Sequence, residues 1–176
     1  MQENFQISQN SDIFYKQLID IKEELFPNEI PVNSKKLSEE INQKLLTKIK
    51  SKIGNKCLSY GYIDKDSIKI VNRSIGRINT AHLNGNLYFD VKCEAMICMP
   101  SEGTRIRCKA LDKNKAGLFA KKGPLQILIP TVLHPEGERG FMETIQKNDM
   151  IWVIIADVRI ELNQPVIQVI AKYDGK

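Results

Sequence analysis

The chain is poor in the residues that build metal and catalytic centres. It has two histidines, His82 and His134, and four cysteines, Cys57, Cys93, Cys98 and Cys108. No C-x-x-C pair and no Cys/His doublet occurs, so the ligand spacing of a zinc site is missing. Cys93, Cys98 and Cys108 fall inside apolar strand patterns and read as small core residues. Residues 1–10 are polar, so no secretory signal is expected, and without one a reducing compartment without disulfides is favoured. No run reaches the ~18 apolar residues of a membrane helix. The longest candidate, residues 150–156, is only strand length. G-x-S-x-G, H-E-x-x-H and G-x-x-x-x-G-K-[ST] are absent. The glycines at 54, 61, 76, 85, 103, 117 and 123 are spaced as turn punctuation rather than clustered to hold phosphates. Asp64 and Asp66 lie between β-type apolar runs, which fits a hairpin turn better than a metal loop. No residue set supplies nucleophile, base and oxyanion donors together. The sequence therefore reads as a non-enzyme with no cofactor.

What the chain does have is ordinary globular composition, with 24 isoleucines among 176 residues, and an uneven charge. The net charge of +5 is compatible with nucleic acid but does not single it out. Residues 1–30 carry a net −4, residues 31–100 a net +6, residues 101–123 a net +5 and residues 124–176 a net −2. A stretch of 23 residues thus holds as much net charge as the whole protein. A solvated face would explain that equally well on charge alone.

Residues 12–25 fit two patterns. Phe14, Leu18, Ile21 and Leu25 make a helical stripe, while Ile19 and Ile21 fit alternation, and Pro27 and Pro31 end the segment either way. Residues 34–53 are the clearest helix, with Leu37, Ile41, Leu45, Ile49 and Ile53 on one face. Ser34 or Ser38 is expected to cap its start and Gly54 to supply a left-handed C-cap. Beyond Gly54 the period becomes two, predicting strands near 56–63, 67–78 and 86–99, with Asn84-Gly85-Asn86 as a turn signal. Pro100 marks a domain junction. The remainder predicts strands at 103–112, 116–122, 125–130, 149–162 and 165–173, with residues 131–147 as a loop or short helix. Five short strands with a longer connection after the third is the order of an OB-fold barrel. The expected organisation is a flexible leader, 1–11, a first domain, 12–100, and a barrel, 101–176.

One predicted strand carries the charge. In residues 104–110, Ile106, Cys108 and Ala110 take one side, leaving Arg105, Arg107 and Lys109 on the other at spacings of roughly 6.6 Å. That is near the phosphate spacing of a stretched single strand. On the next strand Leu118 and Ala120 point inward, so Phe119 and Lys121 point outward beside the cationic row. Lys and Arg to hold a backbone, with a ring to stack on a base, is the equipment of single-strand binding. Arg105, Arg107, Lys109, Lys113, Lys115, Phe119, Lys121 and Lys122 are the candidate nucleic-acid contacts. A one-residue bulge would turn Phe119 inward, and the same face could instead dock a protein.

With these segments placed, the chain resembles the stalk subunit of DNA-directed RNA polymerase, the seventh-subunit family of RNA polymerase II with the archaeal E-prime subunit as its relative. The likeness lies in helix 34–53 ending at Gly54, then Cys57-Leu58-Ser59-Tyr60-Gly61-Tyr62-Ile63. It continues through Ser67-Ile68-Lys69-Ile70, Gly76-Arg77-Ile78, Tyr88-Phe89-Asp90-Val91-Lys92-Cys93-Glu94-Ala95 and Gly123-Pro124-Leu125-Gln126-Ile127-Leu128-Ile129-Pro130. No single motif is diagnostic; order and spacing over residues 12–176 carry the resemblance.

The resemblance implies an α+β protein with an N-terminal truncated ribonucleoprotein-like tip domain followed by a five-stranded OB-fold β-barrel. It implies a strand at 12–25 and a non-catalytic subunit of a multisubunit polymerase. The tip would dock on the large subunits, the barrel would contact nascent RNA, and a small helical subunit would complete the stalk. No membrane partner is expected. The acidic leader is extra, and the loop at 131–148 is shorter than in the RNA polymerase II member. Ile, Lys and Asn total 57 residues, a composition of A+T-rich genomes that fits a large DNA virus or a protist. The expected location is the site of transcription: the nucleus, or host cytoplasm or virion for a viral source. A free-standing OB-fold RNA-binding protein, such as a translation or decay factor, is the alternative.

Overall fold

The computed structural model describes residues 13–31, 35–78, 85–135, 140 and 144–175. The expected leader, 1–11, lies outside them, as do Ser34, Asn84 and most of residues 136–143. The described residues fall into two compact units. One contains residues 16–55 and 63–97; the other contains residues 13–15, 56–62 and 98–175.

In the first unit, β1 (Phe14–Leu25) is a strand, so alternation wins over the helical stripe. Ile19 and Leu25 are buried while Leu18 is 55% exposed, which a helix burying Phe14, Leu18, Ile21 and Leu25 could not give. Helix α1 (Leu37–Ile53) buries Ile41, Leu45, Ile49 and Ile53 of the face read in the sequence, while Leu37, in its first turn, is 43% exposed. Its caps differ from expectation. Lys36 occupies the N-cap position without a side-chain cap bond. Ser38 lies inside the helix, where its hydroxyl accepts from Arg73 Nη2 at 3.1 Å. At the other end Gly54 is extended, with φ −68° and ψ 139°, and Asn55 takes the left-handed turn with φ 56°. Asn tolerates that region, and the Asn55 Oδ1 accepts the Lys65 N–H at 3.1 Å.

Arg73, on β4 (Lys69–Arg73), fixes the helix by donating through Nε to Asn42 Oδ1 at 2.5 Å, and it lies over the Phe89 ring at 5.4 Å. Lys48 fixes it from the other side, 2.7 Å from Glu29 Oε2. That bond, then the Phe26 N–H, holds the Glu29 carboxyl below the usual range. The expected strand 67–78 is broken into β4 and β5 (Arg77–Ile78), both antiparallel to β6 (Leu87–Cys98). On β6, Phe89, Val91, Cys93, Ala95 and Ile97 are all buried, as the alternation predicted. Asp64 and Asp66 sit in a turn: the Asp66 N–H donates to Asp64 Oδ1 at 3.3 Å and Ser67 Oγ to the Asp64 carbonyl at 2.7 Å.

The second unit is built on β7 (Arg105–Asn114), β8 (Gly117–Lys122), β9 (Leu125–Pro130), β10 (Met150–Arg159) and β11 (Ile167–Tyr173). They close in the order β10-β11-β9-β8-β7, with β11 and β9 parallel and the other neighbours in the barrel antiparallel. This closed five-stranded mixed barrel, with its long connection after the third strand, is OB-fold-like, and with α1 the class is α+β. Alternate residues face inward: Ile106, Cys108 and Ala110 on the first part of β7, Leu125, Ile127 and Ile129 on β9, and Ile151, Val153 and Ile155 on the first part of β10. Each of these Ile, Leu and Val side chains contributes about 1.5–3 kcal/mol by leaving water.

The expected strand 56–63 is two short ones, β2 (Lys56–Leu58) and β3 (Gly61–Ile63), joined at Ser59-Tyr60. Residues 56–62 count with the barrel unit, although the chain passes to the barrel proper only after Pro100. Cys57 explains why. Its N–H donates to the Gln164 carbonyl and its own carbonyl accepts from Asn163, both at 2.8 Å, and its fully buried side chain joins the barrel core.

Candidate nucleic-acid interface

Strict alternation on β7 sets the face. Ile106, Cys108 and Ala110 are about 1% exposed, whereas Arg105, Arg107 and Lys109 are exposed on the outer side. The ladders then extend the row sideways. Lys109 lies directly opposite Lys121 on β8, Lys121 opposite Gln126 on β9, and Gln126 beside Gln168 on β11. All four are exposed. Among the described residues, Arg107, Lys109, Lys115 and Lys121 make no ion pair.

Phe119 stays on the outer face, 39% exposed, in register with Leu128, which is in turn beside Ile170. A small apolar strip therefore runs next to the Lys109–Lys121–Gln126–Gln168 row. A bulge does occur, but in β7 rather than β8. The register shifts between Ala110 and Asp112, with Leu111 extra, so Asp112 faces Phe119 and Lys113 faces the buried Leu118.

Two of the expected contacts lie off the row, Lys113 because of that shift and Lys122 because of ordinary alternation on β8. Lys113 is carried to the other side of the strand, where its Nζ reaches the Ile145 carbonyl at 3.5 Å beside a cavity of about 240 Å³. Lys122, one residue past the outward Lys121, points inward and is 6% exposed. There its charge partly offsets the burial that pushes the Cys108 thiol up to about 12. Lys115 is exposed in the β7–β8 turn, which Asn114 Oδ1 closes by accepting from the Ala116 and Gly117 N–H groups at 2.9 and 3.1 Å. Arg105 remains on the face but is already engaged. Its Nε donates to Asp174 Oδ2, and its guanidinium lies 4.6 Å from the centre of the Trp152 ring.

Trp152 is the feature the sequence reading missed. It sits half-buried on the outer side of β10, in register with Arg107. The inward Ile151, Val153 and Ile155 imply that orientation. The unbroken apolar run 150–156 hid it, because period two is invisible when both faces are apolar.

No protein-family profile matches the chain. The chain is similar to a protein of Acanthamoeba polyphaga mimivirus that is provisionally named a DNA-directed RNA polymerase subunit. The two are 24% identical over 174 aligned positions, covering 91% of this chain and 81% of the relative.

Proposed function

We propose that this chain is a non-catalytic stalk subunit of a multisubunit DNA-directed RNA polymerase. In this reading its first unit is the tip domain that docks on the large subunits, and its barrel contacts nascent single-stranded RNA. The name of the mimiviral relative suggests a polymerase subunit, and the similarity spans residues of both units. The first unit exposes Val71, Ile75 and Ile78, the middle one 85% exposed, as a protein-docking edge would. A free-standing RNA-binding barrel would give that edge no role. A small helical stalk partner fits the same reading, as does a location at the site of transcription, in nucleus, host cytoplasm or virion.

The observation that carries the RNA contact is the direct pairing of Lys109 with Lys121. Like charges opposite one another in a ladder cost stability, and a bound phosphate between them removes the cost. Arg107 and Lys109 along the strand, and Lys121 across it, offer successive phosphates a track, with Phe119 beside it for a base. Replacing Arg107, Lys109 and Lys121 by Ala in the full chain should weaken binding to single-stranded RNA at low salt. It should also flatten the slope of log affinity against log salt by about 2, at roughly 0.7 per phosphate contact. Unchanged affinity and slope would remove the RNA contact from the proposal.

A further inference from the structure

We infer that Arg105 is a base-stacking plane set on Trp152 and braced by Asp174, and not one of the phosphate clamps of the row. The inference rests on the single-strand reading of the barrel face. Arg105, Arg107 and Lys109 are spaced alike on β7, yet their surroundings differ. Arg107 and Lys109 have no carboxylate partner among the described residues. Arg105 does: Asp174 takes its Nε edge, so its charge is met before any phosphate arrives. The carboxylate is not placed by chance. The Asp174 N–H donates to the Trp152 carbonyl at 2.9 Å and the Trp152 N–H to the Gly175 carbonyl at 2.8 Å, which clips the segment after β11 alongside Trp152.

The guanidinium, 4.6 Å from the ring centre, is thereby held against the indole. One side of that plane is covered by the ring, and the Arg105 side chain remains 54% exposed. A guanidinium held over an aromatic ring offers an unpaired base a plane to stack upon, with little left to order. Phe119 supplies a second plane on β8, on the far side of Lys109 and Lys121. The phosphate track is then Arg107, Lys109 and Lys121, with a stacking group at each end.

The two roles separate by experiment in the full chain, with fluorescence anisotropy of a labelled oligouridylate and of an abasic oligomer of equal length, across a salt series. Arg105→Lys keeps the charge and loses the plane. It should weaken oligouridylate binding about tenfold, the worth of roughly one stacked base, and leave the abasic oligomer unaffected. Arg105→Gln combined with Asp174→Asn removes both charges. It should leave the salt slope and the abasic affinity as in the parent. Trp152 is the sole tryptophan, so its fluorescence should shift with oligouridylate and not with the abasic oligomer. A phosphate clamp would instead show equal weakening of both oligomers in the double variant and a slope flatter by about 0.7, overturning the inference. So would oligouridylate binding that is indifferent to Arg105→Lys. If the parent chain binds neither oligomer even at low salt, the single-strand reading itself has failed.

Discussion

Lys109 and Lys121 sit opposite each other on the outer face of the barrel, with no carboxylate paired to either among the described residues. A face kept only for solubility gains nothing from that arrangement. Replacing either lysine by Ala should therefore raise stability by about 0.2–1 kcal/mol while lowering RNA affinity. Urea midpoints and binding isotherms of the same variants check the two halves, and a loss of stability would count against the like-charge account. The cysteines give a pH signature. Burial pushes Cys93 up to about 11 and Cys108 up to about 12, well above the ordinary range of a free thiol. The folded state keeps these protons at a pH where the unfolded chain sheds them. Their contribution is therefore complete below about pH 9 and is lost as pH rises through about 11 and 12. Urea midpoints should fall over that window, and Cys108→Ala, compared with its own value near pH 8, should show a smaller fall.

At the scale of elements, alternation and the four-residue stripe placed most strands and the helix, because each has one apolar and one polar face. What the pattern could not reveal was where ladders slip. The extra residue at Leu111 moves Lys113 off the outer row, and nothing in Ala110-Leu111-Asp112 announces it. Nor could it show that Asn55 rather than Gly54 takes the left-handed turn, since both residue types tolerate it. His134 was legible only as a lone histidine. It is a buried link between elements: the Tyr173 N–H donates to its Nε2 at 2.9 Å, and its Nδ1 lies 3.1 Å from the Pro130 carbonyl. With Nε2 accepting, the proton sits on Nδ1 and donates to that carbonyl. His134→Ala leaves both backbone groups without these bonds and should cost about 1–3 kcal/mol. Hydrogen exchange of the Tyr173 amide should quicken more than that of Ile127, deep in the barrel; equal protection would refute the link.

At the scale of the molecule, the barrel unit joins residues 13–15 and 56–62 to residues 98–175. A cut at residue 100 would strip away Cys57 and its bonds to Asn163 and Gln164. A fragment of residues 101–176 should accordingly melt below the barrel transition of the full chain, as calorimetry would show; an unchanged transition would mean that Cys57 adds nothing. Segments distant in sequence joined by two backbone bonds leave no local signal, which is why that part of the organisation was not legible. Candidate contacts fared similarly: Arg107, Lys109, Lys121 and Phe119 share one face, while Trp152 joins it from a strand whose apolar run concealed it. The claim that unites the two units is membership of a transcribing polymerase. The most direct measurement is affinity capture of the tagged full chain from cells in which it is expressed with its natural partners, followed by mass spectrometry of what is retained. The account predicts the large polymerase subunits in amounts comparable to the chain itself; recovery of the chain only as a free monomer would contradict it.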